Sequence, residues 1–259
     1  MLAALTRGVS SHINACELSF IPREPIQFER AVQQHRNYQE LLRSLGVAVT
    51  EIPSQNDCPD CCFLEDTAIV LDELAIITRP GSTARRHEVD GVVPSISGYR
   101  KQVFRIEAPA NLEGGDVLRV GRTLFVGLTQ RTNLEGIEAL RALAWPFGYS
   151  LCAVDVPGAL HLKSVCTALD DHTLLLEPSR VDRGAFSNFE VIEASADEWM
   201  AANVLLVDGR VCMHSGFPRT RKLLEQRGYE VRTVDISEFL KAEAGLTCMS
   251  LLFKETTQP

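Results

Sequence analysis

The chain has 259 residues, 45% apolar and 23% charged, which is enough for one large domain with a substantial buried core. Its 26 basic against 34 acidic side chains leave a formal charge of −8, which excludes the broad basic face that general nucleic-acid binding needs. No apolar run approaches the ~20 residues of a membrane span, and no charged start precedes an apolar core at the N-terminus. A cytoplasmic protein with no membrane or nucleic-acid partner is therefore expected.

In chain order, residues 2–5 read as a short strand. Residues 28–45 read as a helix, because Phe28, Ala31, Val32, Tyr38, Leu41, Leu42 and Leu45 recur at three- and four-residue steps, with Gly46 at the position just past the end. A strand over 47–52 follows. Residues 68–71 and 74–77 flank Asp72-Glu73 as a hairpin, Arg79-Pro80-Gly81-Ser82 turns the chain, and a helix is expected from about Thr83. The hairpin recurs at 117–120 and 123–126 around Gly121-Arg122. Thr132 or Asn133 can then cap a helix to Leu143, and 151–154 is the next strand.

The third instance is 165–169 and 173–176 around Asp170-Asp171-His172. The fourth is 203–207 and 210–213 around Asp208-Gly209, with a helix at about 219–227 and a strand at 229–234. The fifth is split between the ends, since the apolar stretch 248–253 can pair as a closing strand with 2–5. Internal repetition of this kind governs the whole fold. Five strand–turn–strand–helix–strand units joined at the termini form a ring within a single domain, residues 1–259, and loops at one end of its axis would converge.

The residues that carry chemistry lie far apart. Cys248 offers a thiol, His161 a general acid and base, and Glu113, beside Gly114-Gly115, a carboxylate able to orient or charge the imidazole. The two glycines permit either a close approach or a positive φ. Taken singly, each has a bland alternative: a core cysteine, a structural histidine, a surface turn. Asp57, Asp60, Glu65 and Asp66 precede the strand at 68 and could hold a cation by charge-assisted bonds, or form a solvated acidic loop. Arg85, Arg86 and His87 after one hairpin, and Arg131 after the next, could grip a carboxylate or cover surface.

The eight cysteines include several inside apolar runs, which points to reduced thiols. Cys58, Cys61 and Cys62 have a C-x-x-C spacing, but no second pair follows and neighbouring cysteines rarely both ligate one ion, so no metal is expected.

Together these residues resemble the dimethylarginine dimethylaminohydrolases of the guanidine-modifying superfamily, which includes arginine deiminase and the amidinotransferases. The resemblance is carried by Pro59-Asp60, Glu65-Asp66, the segment 76–81 (Ile76-Ile77-Thr78-Arg79-Pro80-Gly81), Arg85, Glu113-Gly114-Gly115-Asp116, Arg131-Thr132-Asn133, His161-Leu162-Lys163, Pro218-Arg219-Thr220 and Cys248-Met249-Ser250. It runs from about residue 18 to 253, in order and at compatible spacing.

The resemblance implies a five-bladed α/β propeller of ββαβ units, the pentein fold. It implies attack by Cys248 on the guanidinium carbon of an Nω-methylated arginine, giving citrulline and dimethylamine or methylamine. His161 would protonate the amine and then activate water, Glu113 would support it, and Asp66 would hold the guanidinium. Leu18, Asp60 and Glu65 would contact the substrate's amino-acid end or its lid. Arg85 and Arg131 would take the α-carboxylate, and the backbone near Ala242 would accept from the α-amine. No cofactor is implied, and a homodimer is left open.

Arginine deiminases carry an aspartate two positions after the histidine, where this chain has Lys163, so a methylated guanidine is preferred over arginine itself. Hydrolysis of another Nω-substituted arginine such as hydroxyarginine is the nearest alternative. A non-catalytic binder of arginine-like cations is the rival from another class, and Cys248 discriminates against it.

Overall fold

The computed structural model describes residues 1–255, and its strands form five three-stranded sheets among those residues. β1 (Leu2–Arg7) and β2 (Ala48–Ile52) open the chain as a parallel pair. The next sheet holds β3 (Ala68–Val70), β4 (Leu74–Ile77) and β5 (Gln102–Arg105). The following one holds β6 (Val117–Val120), β7 (Thr123–Leu128) and β8 (Ser150–Asp155). Then come β9 (Cys166–Ala168), β10 (Thr173–Leu176) and β11 (Glu190–Glu193). β12 (Leu205–Val207), β13 (Arg210–His214) and β14 (Glu230–Val234) make the fourth chain-continuous sheet. Finally β15 (Ser250–Lys254) pairs antiparallel with β1, placing Leu5 opposite Leu251 and Ala3 opposite Phe253.

In every unit the first strand is antiparallel to the second, and the second is parallel to the third. The result is a five-bladed α/β propeller. The first strand of each unit lines an axial cavity of about 570 Å³, to which Ala68, Leu118, Thr167, Leu206 and Leu251 each contribute.

Closure of the ring rests on packing and on buried polar contacts. Ala3, Leu5, Leu251 and Phe253 share one core with Ala75, Ile77, Val92 and Ile96 of the neighbouring unit. Burial contributes about 1.5–3 kcal/mol for each large apolar side chain of this kind. The helix Phe28–Ser44 ends before Gly46 at φ 83°, as the sequence suggests. Its buried stripe holds Gln34, His35 and Gln39 as well as Ala31, Tyr38 and Leu42. Tyr38 Oη meets Ser250 Oγ at 2.7 Å, and Gln39 Nε2 donates to Thr6 Oγ1 at 2.9 Å, so this helix ties β15 and β1 together.

Two expectations are corrected, and two strands have no counterpart in the sequence reading. The closing strand begins at Ser250, and Cys248 lies in the 3-10 turn Thr247–Met249 just ahead of it. The helix expected from Thr83 is broken into two 3-10 turns, Ala84–His87 and Val89–Gly91, followed by the short helix Val93–Ser97 with Pro94 in its first turn. β5 and β11 close their blades where the sequence shows no alternating apolar pattern. Both are mostly solvent-facing, so burial leaves little mark on their composition. The helix Leu134–Ala144 is capped as expected, Asn133 Oδ1 accepting from the Gly136 amide at 2.9 Å. No helix among the described residues is long and apolar enough to cross a membrane.

Candidate active site

The chemistry sits in short turns that precede the innermost strands. Asp66 lies in the turn Leu64–Thr67 before β3, and Glu113 immediately precedes the turn Gly114–Asp116 before β6. His161 precedes the single helical turn Leu162–Val165 before β9, and Cys248 sits in the turn before β15. Repetition of the unit thus brings together residues up to 182 positions apart, as in the 2.8 Å bond from Thr247 Oγ1 to Glu65 Oε2. The fourth unit contributes Asn203, whose amide bonds the Lys163 carbonyl and Thr247.

Gly114 and Gly115 serve close approach, not a positive φ. A Cβ on Gly114 would lie 2.0 Å from the Glu65 carbonyl oxygen, and one on Gly115 would lie 2.6 Å from His161 Nδ1. The imidazole therefore rests against bare backbone. His161 Nε2 is 2.7 Å from Glu113 Oε2 and 3.8 Å from Asp66 Oδ1. Glu113 is oriented by the Gly81 amide, which donates to its Oε1 at 3.0 Å, and Asp66 by the Gly115 amide at 3.0 Å and Arg85 Nη1 at 2.7 Å.

Burial alone would lower the His161 pKa, but Asp66, Asp116 and Glu113 outweigh it and raise it to about 9. The imidazole is therefore cationic at neutral pH. Asp66 would be pushed up by burial, yet His161 and Arg85 hold it down at about 2. For Glu113 too, His161 outweighs burial and keeps the carboxylate below its ordinary range. Asp116, bonded by the Leu162 amide and Thr129 Oγ1, is raised by burial to about 6. Burial drives the Cys248 thiol well upward, and Glu65 and Asp66 add to that. In this state Cys248 is a protonated thiol beside an imidazolium.

Asp66, Asp60, Arg85, Arg131, His161, Ala242 and Cys248 all line one cavity of about 20 Å³, together with Glu17 and Glu243. That is room for about one water molecule. Its carboxylates are Glu17, Asp60, Asp66 and Glu243, facing the cations Arg85, Arg131 and protonated His161. The balance favours a ligand with net positive charge. The ligating atoms of Asp66, Glu113 and His161 lie within 4.8 Å of one another, near enough to hold a metal ion. A bound ion there would occupy the imidazole that the acid–base chemistry requires.

Several expected residues are placed differently. Glu65 does not line this cavity. It lines the axial cavity, bonded to Lys163 Nζ at 2.6 Å and to Thr247, while the next residue, Asp66, lines the smaller one. Lys163 likewise faces the axial cavity and does not line the smaller one. Arg85 lines the site but spends Nε and Nη2 on Glu88 and Nη2 also on the Phe63 carbonyl. With Nη1 on Asp66, at most one N–H remains. Leu18 packs on the core beside the loop that covers the cavity, not in its lining. Of the acidic cluster, Asp57 is solvated, whereas Asp60, Glu65 and Asp66 are buried.

Sequence reasoning missed Glu17 and Glu243. Glu17 Oε2 is 2.9 Å from Arg131 Nη1, its Oε1 accepts from Ser82 Oγ at 2.6 Å, and its amide donates to Asp60. Glu243 accepts from the Ser19 amide at 2.7 Å and from the Phe20 amide, latching the covering loop. Both lie in irregular segments, where no periodicity marks a carboxylate, whether half-buried like Glu17 or buried like Glu243. The one signal is isolation, each acid standing among apolar neighbours (Cys16-Glu17-Leu18 and Ala242-Glu243-Ala244).

Residues 5–250 match the family model described as N,N dimethylarginine dimethylhydrolase, eukaryotic. The N(G),N(G)-dimethylarginine dimethylaminohydrolase of Streptomyces coelicolor is 37% identical over 254 residues, covering 97% of each chain. The Pseudomonas aeruginosa DDAH, solved as a cysteine-to-serine mutant complexed with citrulline, superposes with a TM-score of 0.91 at 32% identity, covering 97% of this chain and 98% of that one. A histidine-to-glycine dimethylarginine dimethylaminohydrolase, solved as an adduct with S-methyl-L-thiocitrulline, gives 0.93 at 33% identity, covering 97% and 99%.

Proposed function

The chain belongs to the dimethylarginine dimethylaminohydrolase family, and we propose from this premise that it hydrolyses Nω-methylated arginines to citrulline and dimethylamine or methylamine. The observation that carries the reading is the shared cavity. One lining holds Cys248, His161 and Asp66, with Glu113 behind the imidazole.

The resting thiol is protonated, so binding must ionise it. A guanidinium held on Asp66 sets a positive charge beside Sγ and favours the thiolate, the thiol proton passing to solvent because His161 is already protonated. Sγ then forms a bond to the guanidinium carbon. As the carbon–nitrogen bond to the methylated nitrogen breaks, imidazolium His161 delivers its proton to the departing amine. The neutral imidazole left behind takes a proton from water, whose oxygen attacks the S-alkylthiouronium carbon. Thiolate departs, the new hydroxyl gives up its proton to leave the carbonyl of citrulline, and Sγ takes a proton again as the product leaves. Glu113 and Asp66 stabilise the imidazolium at the start and again when water is deprotonated. At the other end Arg131 takes the α-carboxylate, aided by the remaining N–H of Arg85. Asp60 and the backbone of Ala242 receive the α-amine, with Leu18 packed beside the loop outside the lining.

Eight free cysteines fit a reducing cytoplasm, and the same reading admits a homodimer, which light scattering would test. The direct test of function is a panel of arginine, monomethylarginine, asymmetric dimethylarginine and hydroxyarginine, with citrulline and ornithine measured separately. Citrulline is expected from the methylated substrates and is lost in Cys248→Ser. Full turnover by Cys248→Ser, or citrulline from arginine alone, would sink the proposal.

A further inference from the structure

We propose that Asp116 is a positioning residue that serves both ends of the substrate at once, through His161 at the reacting end and through Arg131 at the carboxylate end. The inference rests on the reading that a methylated arginine occupies the cavity of Cys248, His161 and Arg131. Asp116 does not line that cavity, so whatever it does there it does through its neighbours. It is fully buried, in the turn Gly114–Asp116 before β6.

Each carboxylate oxygen holds a different part of the site. Oδ1 accepts from the Leu162 amide at 3.0 Å, and Leu162 directly follows His161. Oδ2 accepts from Thr129 Oγ1 at 2.8 Å. That hydroxyl in turn accepts from the amides of Arg131 at 3.0 Å and Thr132 at 3.2 Å, so the turn that presents Arg131 hangs on it. Thr132 Oγ1 also bonds the Asp116 carboxylate and accepts from the Glu113 amide at 3.2 Å, which draws the residue behind the imidazole into the same network. Bare backbone closes both sides. A Cβ on Gly127 would lie 2.7 Å from Asp116 Oδ1, and one on Gly81 would lie 2.5 Å from the Arg131 carbonyl oxygen.

The network explains why a carboxylate stands here and not an amide of the same shape. With two amides already on its lone pairs, the Thr129 hydroxyl can only donate, and the Leu162 amide can only donate. Only a group that accepts on both sides satisfies the two arms together. Asn would accept from one and turn its NH2 against the other. The charge matters as well as the shape, because Asp66, Asp116 and Glu113 are the anions that raise His161 against its burial, with Arg85 held on Asp66.

The test follows the His161 imidazole by NMR in the Cys248→Ser protein, which reads both its titration and the binding of ligands. The ligands are Nω-monomethyl-L-arginine, long enough to reach Arg131, and methylguanidine, which stops at Asp66. Thr129→Val keeps the charge on Asp116 and its bond from Leu162 but severs the Arg131 arm. It should weaken methylarginine by about tenfold, the scale of a lost buried hydrogen bond, and leave methylguanidine and the His161 titration unmoved. Thr129→Ser should restore methylarginine. Asp116→Asn should weaken methylarginine too and move the His161 titration acidward by about one unit or more. Equal weakening of both ligands by Thr129→Val, no weakening of methylarginine, failure of Thr129→Ser to restore it, or an unmoved His161 titration in Asp116→Asn would each overturn the inference. Should Asp116→Asn not fold, the split between the two ligands in Thr129→Val decides alone. Citrulline release by the wild-type chain judges the functional reading separately. Release together with equal weakening refutes Asp116's role alone, whereas the split without release refutes the hydrolase and leaves Asp116's role standing.

Discussion

Replacing Glu113 by Gln tests how the imidazole is charged. Glu113 Oε1 accepts from the Gly81 amide at 3.0 Å, while Oε2 faces His161 Nε2 at 2.7 Å. Gln has the same shape, and the Gly81 amide will select its carbonyl oxygen. The amide NH2 is then turned toward Nε2, where it donates a hydrogen bond that only a neutral imidazole accepts. The substitution therefore removes a negative charge and also reverses the polarity of the contact.

The rise of His161 from 6.5 to about 9 amounts to about 3.4 kcal/mol at 1.36 kcal/mol per pKa unit. It is what remains after burial has opposed Asp66, Asp116 and Glu113. Glu113 is the nearest of the charges facing Nε2 and is fully buried, so it should account for about 1–3 pKa units, as close opposite charges usually do. The amine departs only by taking a proton from imidazolium, so kcat/KM should fall as pH rises through about 9 in the wild type. In Glu113→Gln that alkaline limb should move acidward by about 1–3 units. The sign for stability agrees, because the raised pKa contributes stability that is full below 6.5 and lost as pH climbs through about 9. The assay is citrulline release from asymmetric dimethylarginine between pH 6 and 10, with thermal melts over the same range. A uniform loss of rate with an unmoved alkaline limb would refute the assignment, since Glu113 would then position His161 without setting its charge.

Alkylation should find Cys152 before Cys248, because Cys152 is the half-exposed thiol of the eight. Methylguanidine, small enough to sit at Asp66 without filling the site, should accelerate modification of Cys248 as read by peptide mapping. Slower or unchanged labelling counts against ionisation by the substrate's charge. Gly114→Ala places a Cβ 2.0 Å from the Glu65 carbonyl, a backbone atom that cannot swing away. It should cost about 1–3 kcal/mol, read as a lowered melting temperature, and an unchanged melt would show that the turn relaxes freely. Tyr38→Phe leaves Ser250 Oγ without its 2.7 Å partner, and a loss of about 1–2 kcal/mol in urea unfolding is expected. No loss would mean that the hydroxyl pair does not help hold the closing strand.

The repeat was legible because inner strands are apolar on both sides. The runs at 68–77, 117–126 and 173–176 are buried against neighbouring units and the axial lining, so their composition reports their environment. The outer strands β5 and β11 face solvent and left no pattern. The helix 28–45 was read from its apolar residues, although Gln34, His35 and Gln39 share its buried stripe, and nothing local announces that a glutamine will be bonded to a strand hydroxyl. Cys248, His161, Glu113 and Asp66 stood out in the sequence as residue types beside glycine or a strand start, and the structure draws them to neighbouring turns. Which cavity Glu65 lines was not legible, since within the tight turn Leu64–Thr67 it bonds Lys163 and Thr247 while neighbouring Asp66 meets His161 and Arg85. Glu17 was invisible because its partner Arg131 is 114 positions away and its loop has no period.

The position of the nucleophile links folding to chemistry more tightly than a cysteine in a mid-chain strand would. Cys248 stands two residues before β15, and among the described residues β15 has its ladder only with β1. The contacts that fix that strand, Tyr38 on Ser250 and Leu251 and Phe253 against the first blade, are therefore also the contacts that bring Sγ to His161's cavity. Asp66, Glu113 and His161 come from turns in three successive blades and can assemble beside one another without the chain's end. Without the last blade they would leave a charged imidazole cluster with nothing to attack a substrate. Closing the ring is thus the step that makes the cluster reactive. A variant that loosens β15 should lose turnover before it loses the His161–Glu113 contact.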